Sequence, residues 1–131
     1  MQKEAIESYK QAIRINPDYA SAHYNLGVAY ARSSMYKEAI ESYKQTIRIN
    51  PDSADAHFSV GVAYVKSGVY KEAIEAFKQS IRIDPDSVQA HYNLGIAYVL
   101  FYEGDSALEQ HKILKSLDSE LANKLYNMIC K

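Results

Sequence analysis

The chain has 131 residues, with 15 basic against 16 acidic side chains. So even a balance sets up no broad field for nucleic acid or an anionic membrane. A single cysteine, Cys130, excludes an internal disulfide. No apolar run approaches the roughly 20 residues of a membrane span, and Gln2, Lys3 and Glu4 do not open an apolar signal segment, so a cytoplasmic setting is expected.

The first predicted helix covers residues 3–16, with Ala5, Ile6, Tyr9, Ala12 and Ile13 at steps of three and four and charge opposite. Asn16-Pro17-Asp18 stops it, because the residue before proline avoids the helical region. The next helix, over 20–32, is apolar nearly all round. His23, Leu26, Gly27 and Tyr30 make one face, while Tyr24, Val28 and Ala31 make another. A helix shielded on one side only needs no second apolar face, so this one is expected to line another surface, the inside of a curved array. Residues 36–49 return to the one-sided pattern of 3–16, and so do residues 70–83.

These segments repeat. Pro17, Pro51 and Pro85 recur every 34 residues, and most residues of 20–53 recur in 54–87. A period of this size means stacked helix pairs that bury surface only against their neighbours. Asp52 is expected to cap the helix after Pro51, Asp18 holds the same position after Pro17, and Asp86 with Gln89 reads as a capping box. Gly27, Gly61 and Gly95 lie mid-helix, where glycine costs about 1 kcal/mol against alanine. That cost implies close helix approach, expected opposite Ala39, Ala73 and Ala107. Residues 119–130 form a last helix with Leu121, Ala122, Leu125, Met128 and Ile129 on one stripe, capped by Ser119 or Asp118 and closing the array.

The pattern resembles the tetratricopeptide repeat. The motif positions are His23, Leu26, Gly27, Tyr30, Ala39, Tyr43 and Pro51, then His57, Val60, Gly61, Tyr64, Ala73, Phe77 and Pro85, then His91, Leu94, Gly95, Tyr98, Ala107 and His111. Histidine stands at the family's usual tryptophan position in all three units. Gly104, His111 and Ser119 depart from the tyrosine, aromatic and proline expected there, so the third outer helix is expected to pack differently. The resemblance implies an all-α solenoid, a right-handed superhelix of antiparallel helix pairs forming one domain over 1–131. It divides into a half repeat (2–18), repeats at 19–52, 53–86 and 87–118, and a capping helix (119–131). The half repeat lacks its first helix, which points to an excerpt of a longer array with an open end able to associate with another copy.

The family typically binds a peptide or helix in the concave groove lined by the first helix of each repeat. By register the groove residues here are Tyr24, Asn25, Val28 and Arg32, then Phe58, Val62 and Lys66, then Tyr92, Asn93 and Ile96. The aromatic row is a good anchor surface, and each asparagine amide can donate to and accept from peptide backbone. Arg32 and Lys66 form a small basic patch suited to an acidic flank on an apolar ligand. Some relatives clamp chaperone C-terminal carboxylates with lysine, asparagine and arginine. Tyr24, Val28, Ser59, Gln89 and Asn93 occupy those positions here, so that partner class is not expected.

His23, His57 and His91 form a ladder but not a metal site. Stacked helices lie roughly 8–10 Å apart, far beyond the about 2 Å of a zinc–nitrogen bond. With no nucleophile–base pair, phosphate loop or metal cluster in the pattern, neither catalysis nor a cofactor is expected. The expected role is a protein–protein interaction module. Alternatives are a substrate-presenting segment of a larger enzyme or assembly factor, and a self-assembling scaffold.

Overall fold

The computed structural model describes residues 2–131, which form eight helices and no strand. They are α1 (Gln2–Ile15), α2 (Ala20–Arg32), α3 (Tyr36–Ile49), α4 (Ala54–Lys66), α5 (Tyr70–Ile83), α6 (Val88–Leu100), α7 (Gly104–Leu117) and α8 (Ser119–Ile129). Each helix packs on its neighbours in the chain, and beyond that α4 touches α6 and α6 touches α8. This is the solenoid the period predicts, with first helices α2, α4 and α6 and second helices α3, α5 and α7.

The turn inside each unit is set by the period. Ser34, Gly68 and Tyr102 occupy the same register position, and all three adopt positive φ (59°, 75° and 61°). The following amide bonds back five residues in each case, from Met35, Val69 and Glu103 to the carbonyls of Tyr30, Tyr64 and Tyr98 at 2.8–2.9 Å. That bond, closing over a left-handed residue, is a Schellman cap. Only the middle unit supplies the glycine that the left-handed conformation favours.

The caps between units correct the expectation from sequence. Ser53 Oγ accepts from the Ala56 amide at 3.1 Å and Ser87 Oγ from Ala90 at 3.2 Å, while Tyr19 starts α2 with no side-chain cap. Asp52 and Asp18 lie one residue too early. They pair instead with the second helix of the following unit, Arg82 with Asp52 at 3.7 Å and Arg48 with Asp18 at 3.1 Å. These pairs are exposed and worth at most about 1 kcal/mol each. Asp86, in turn, makes no capping box.

The glycines also face different partners from those expected. A Cβ on Gly27 would meet Tyr43 Cε1 at 2.6 Å, and one on Gly61 would meet Phe77 Cε1 at 2.7 Å. The glycines thus make room for a second-helix aromatic ring, not for Ala39, Ala73 and Ala107, which are nonetheless fully buried. Phe77 is completely enclosed by Ala73, Ile74, Leu94, Ala97 and Tyr98, so it joins units two and three. Burying such a ring is worth about 1.5–3 kcal/mol.

Unit three breaks this rule. His111 replaces the ring, and a Cβ on Gly95 would meet Leu125 Cδ2 of α8 at 2.5 Å. The C-terminal helix therefore fills the space over the third glycine, while His111 turns to the Tyr126 ring, 5.1 Å away between centroids. Among the residues of α7 only Ala107 and Leu114 are buried, in line with the different packing expected.

Candidate functional site

The second apolar face of α2 and α4 forms a hollow between units one and two. Val28, Ala31, Phe58 and Val62 give it apolar walls, Tyr43 and Ser59 contribute the floor, and Arg32 and Lys66 stand at one end. Its volume is about 330 Å³. The side chains are fixed by packing from behind. The Tyr24 ring leans on Tyr43 with centroids 5.5 Å apart, and Phe58 leans on Phe77 at 5.7 Å. Tyr24 and Ser59 share a hydroxyl hydrogen bond of 3.0 Å that ties α2 to α4.

Burial pushes the Tyr43 phenol up to about 12, with Tyr24 adding to the rise and the Ser59 hydrogen bond and Arg32 charge opposing it. Tyr43 is therefore neutral at physiological pH. The remaining charge is basic: Arg32 and Lys66 are exposed, and neither joins an ion pair among the described residues.

A second, more polar hollow of about 270 Å³ lies toward the start of the same helices, with Ser21, Tyr24, Asn25, Asn50 and Asp55 in its wall. Tyr24 and its bond to Ser59 stand between the two hollows. Across this surface polarity is directional: cations at the ends of α2 and α4, Asp55 near the start of α4.

Unit three does not continue the groove. Tyr92 and Ile96, with Val88 and Val99, pack against Leu114, Ala122 and Leu125. The expected row Tyr24–Phe58–Tyr92 is therefore covered at its third member, and Val28–Val62–Ile96 likewise, because α8 enters where His111 is not a large ring. Asn93 donates to the Gln89 carbonyl of its own helix at 2.8 Å, whereas Asn25 is exposed. The structure thus gathers Val28, Arg32, Phe58, Val62 and Lys66 into one hollow, sets Tyr24 and Asn25 at its neighbour, and leaves Tyr92, Asn93 and Ile96 apart. Tyr36, Tyr43 and Ala63 also line the hollow and were missed from sequence; for Tyr43 its position over Gly27 was the available signal.

The histidine ladder is structural. His23, His57 and His91 each reach back six residues through Nε2, to the carbonyls of Pro17, Pro51 and Pro85 at 2.9, 2.9 and 2.7 Å. Each ring pins the start of a first helix to the proline turn before it, so His and Pro are one device. No group of three His, Cys, Asp or Glu among the described residues could hold a metal.

The model of the TPR repeat family matches residues 2–34, 35–68 and 61–100. The chain belongs to the tetratricopeptide repeat family. A crystal structure of MamA protein superposes with a TM-score of 0.86 at 29% identity, covering 94% of this chain and 67% of that one. MamA 41-end from Desulfovibrio magneticus RS-1 gives 0.84 at 22%, covering 91% and 67%. YrrB, described as a TPR protein with an unusual peptide-binding site, gives 0.83 at 20%, covering 98% and 76%. No curated protein sequence matches the chain. Fold and family are those of protein-interaction scaffolds. The matched residues stop at 100, before the second helix that departs from the TPR pattern. No helix among the described residues is long and apolar enough to cross a membrane.

Proposed function

We propose that this TPR array recruits a partner protein by holding a peptide segment across α2 and α4, with an apolar side chain in the 330 Å³ hollow and an acidic residue beside Arg32 and Lys66. One observation carries the reading: an apolar hollow, rigid from behind, ends in two exposed cations that join no ion pair among the described residues. Apolar burial supplies affinity and the cations supply orientation and selectivity. The peptide-binding site ascribed to YrrB supports a ligand role for this fold. The polar groups at the hollow are a tyrosine–serine pair and two exposed cations, a set suited to holding a ligand.

The test is fluorescence anisotropy with three labelled peptides: one leucine anchor followed by two glutamates, the same anchor followed by two lysines, and a serine-anchored version of the first. The first binds best. Val62→Glu, which puts a charge in the hollow wall, abolishes its binding, and Arg32→Glu/Lys66→Glu reverses the preference between the first two. Equal binding of all three to every variant would refute the reading.

A further inference from the structure

The linkers between units are not alike. Residues 16–19, 50–53 and 84–87 are four-residue connections carrying Pro17, Pro51 and Pro85. The connection between α7 and α8 is Asp118 alone, and the position where the period calls for proline is Ser119. Proline would bar the preceding residue from the helical region; serine does not.

Asp118 is extended, with φ −158° and ψ 100°, and its Oδ1 accepts from the amides of Glu120 and Leu121 at 3.1 Å each. On either side the helical bonding is already in place. The Asp118 amide reaches the Leu114 carbonyl at 2.7 Å, and the Ala122 amide reaches the Asp118 carbonyl at 3.0 Å. Rotation at this one residue fuses α7 and α8 into a continuous helix over 104–129. Two cap bonds are lost, and the amides of Ser119, Glu120 and Leu121 gain the carbonyls of Lys115, Ser116 and Leu117.

What keeps α8 folded back is apolar. Leu125 sits on Gly95, and Leu125 and Ala122 join Leu114 of α7 in the cluster against which Val88, Tyr92, Ile96 and Val99 pack. The ion pair of α8, Lys124 with Glu120, is internal to it. Opening therefore bares a stripe on α6 whose fitted cover is α8 itself, and a second opened copy offers the same cover. Reciprocal exchange restores every contact between α6 and α8 and closes with two-fold symmetry. We propose that the chain exchanges α8 with a second copy, forming a dimer in which Leu125 of each copy fills the space over Gly95 of the other.

Disulfide capture tests this. One copy carries Gly95→Cys/Cys130→Ser and the other Leu125→Cys/Cys130→Ser. They are mixed at high concentration, warmed toward the melting transition, cooled and oxidised. A chain carrying both new cysteines confirms that the pair can close. A disulfide-linked heterodimer is expected, with a dimer of the wild-type chain seen by light scattering after the same treatment. Ser119→Pro places proline inside the fused helix, which disfavours the exchange by a factor of about 100, while proline is welcome as the first residue of α8 and the melting temperature holds. Asp118→Ala removes the cap and raises exchange by about fivefold. The proposal is overturned if no heterodimer forms while the doubly substituted chain closes its own disulfide. It is equally overturned if Ser119→Pro dimerises as the wild type does, or if the dimer is abolished by Tyr9→Glu on α1 and untouched by Ser119→Pro.

Discussion

Gly61→Ala probes the contact that joins one unit to the next. The added Cβ would lie 2.7 Å from Cε1 of Phe77 and 2.9 Å from both Cδ1 and Cζ, all inside the 3.0 Å that real Cβ contacts essentially never breach. The ring has nowhere to go: Phe77 is fully buried, against Leu94 and Tyr98 of the following unit. Overpacking of this kind costs about 1–3 kcal/mol. Replacing a mid-helix glycine with alanine returns about 1 kcal/mol of helix propensity. The net is a loss of up to about 2 kcal/mol, about 1 kcal/mol at mid-range. Urea denaturation followed by circular dichroism reads this as a lower midpoint at unchanged slope. In a Phe77→Leu background the smaller side chain leaves room, so the same substitution there becomes neutral or stabilising. Gly104→Ala, with no atom within 4 Å of its added Cβ, is the control and holds or raises the midpoint. A Gly61→Ala midpoint at or above wild type would refute the assignment of Gly61 to ring clearance.

Two further expectations concern the turn and the buried phenol. Tyr102 holds a left-handed conformation at φ 61° with 95% of its surface exposed, so Tyr102→Gly relieves strain while losing little packing. It is expected to raise stability by about 1 kcal/mol, seen as a higher urea midpoint; a lower midpoint means the ring has a packing role. Tyr43, raised by burial to about 12 in the folded chain, titrates near 10 when unfolded. Its stabilising difference is present below pH 10 and is lost as pH rises from 10 toward 12. Tyr43→Phe places at this position the residue that Phe77 supplies one unit later. Its urea midpoint should fall less steeply across that window than the wild type's; parallel profiles would contradict the cause given for the shift.

Helix placement was legible because periodicity and prolines agree. The spans 20–32, 36–49 and 70–83 read from sequence coincide with α2, α3 and α5. The caps were not, since Asp52 and Ser53 are both good capping residues. Which one caps depends on linker geometry, and Arg82, 30 residues on, takes up the other. The left-handed turn shows in the sequence only at Gly68; Ser34 and Tyr102 follow it because the stacked units impose the same turn. The binding surface was half legible. Register puts Tyr24, Phe58 and Tyr92 in one row, but closure of that row at Tyr92 depends on a long-range fit, Leu125 over Gly95, made possible by His111. Nothing local to Tyr92 or Ile96 announces it.

The hollow between α2 and α4 is where the partner is proposed to sit. The most direct measurement is a two-dimensional NMR titration of the isotopically labelled chain with the leucine–glutamate peptide. Shift changes are expected at Val28, Arg32, Phe58, Val62 and Lys66, with the outer helices and the α8-covered stripe of α6 unmoved. Shifts centred on the outer faces of α3 and α5, with those five residues unchanged at saturation, would contradict it.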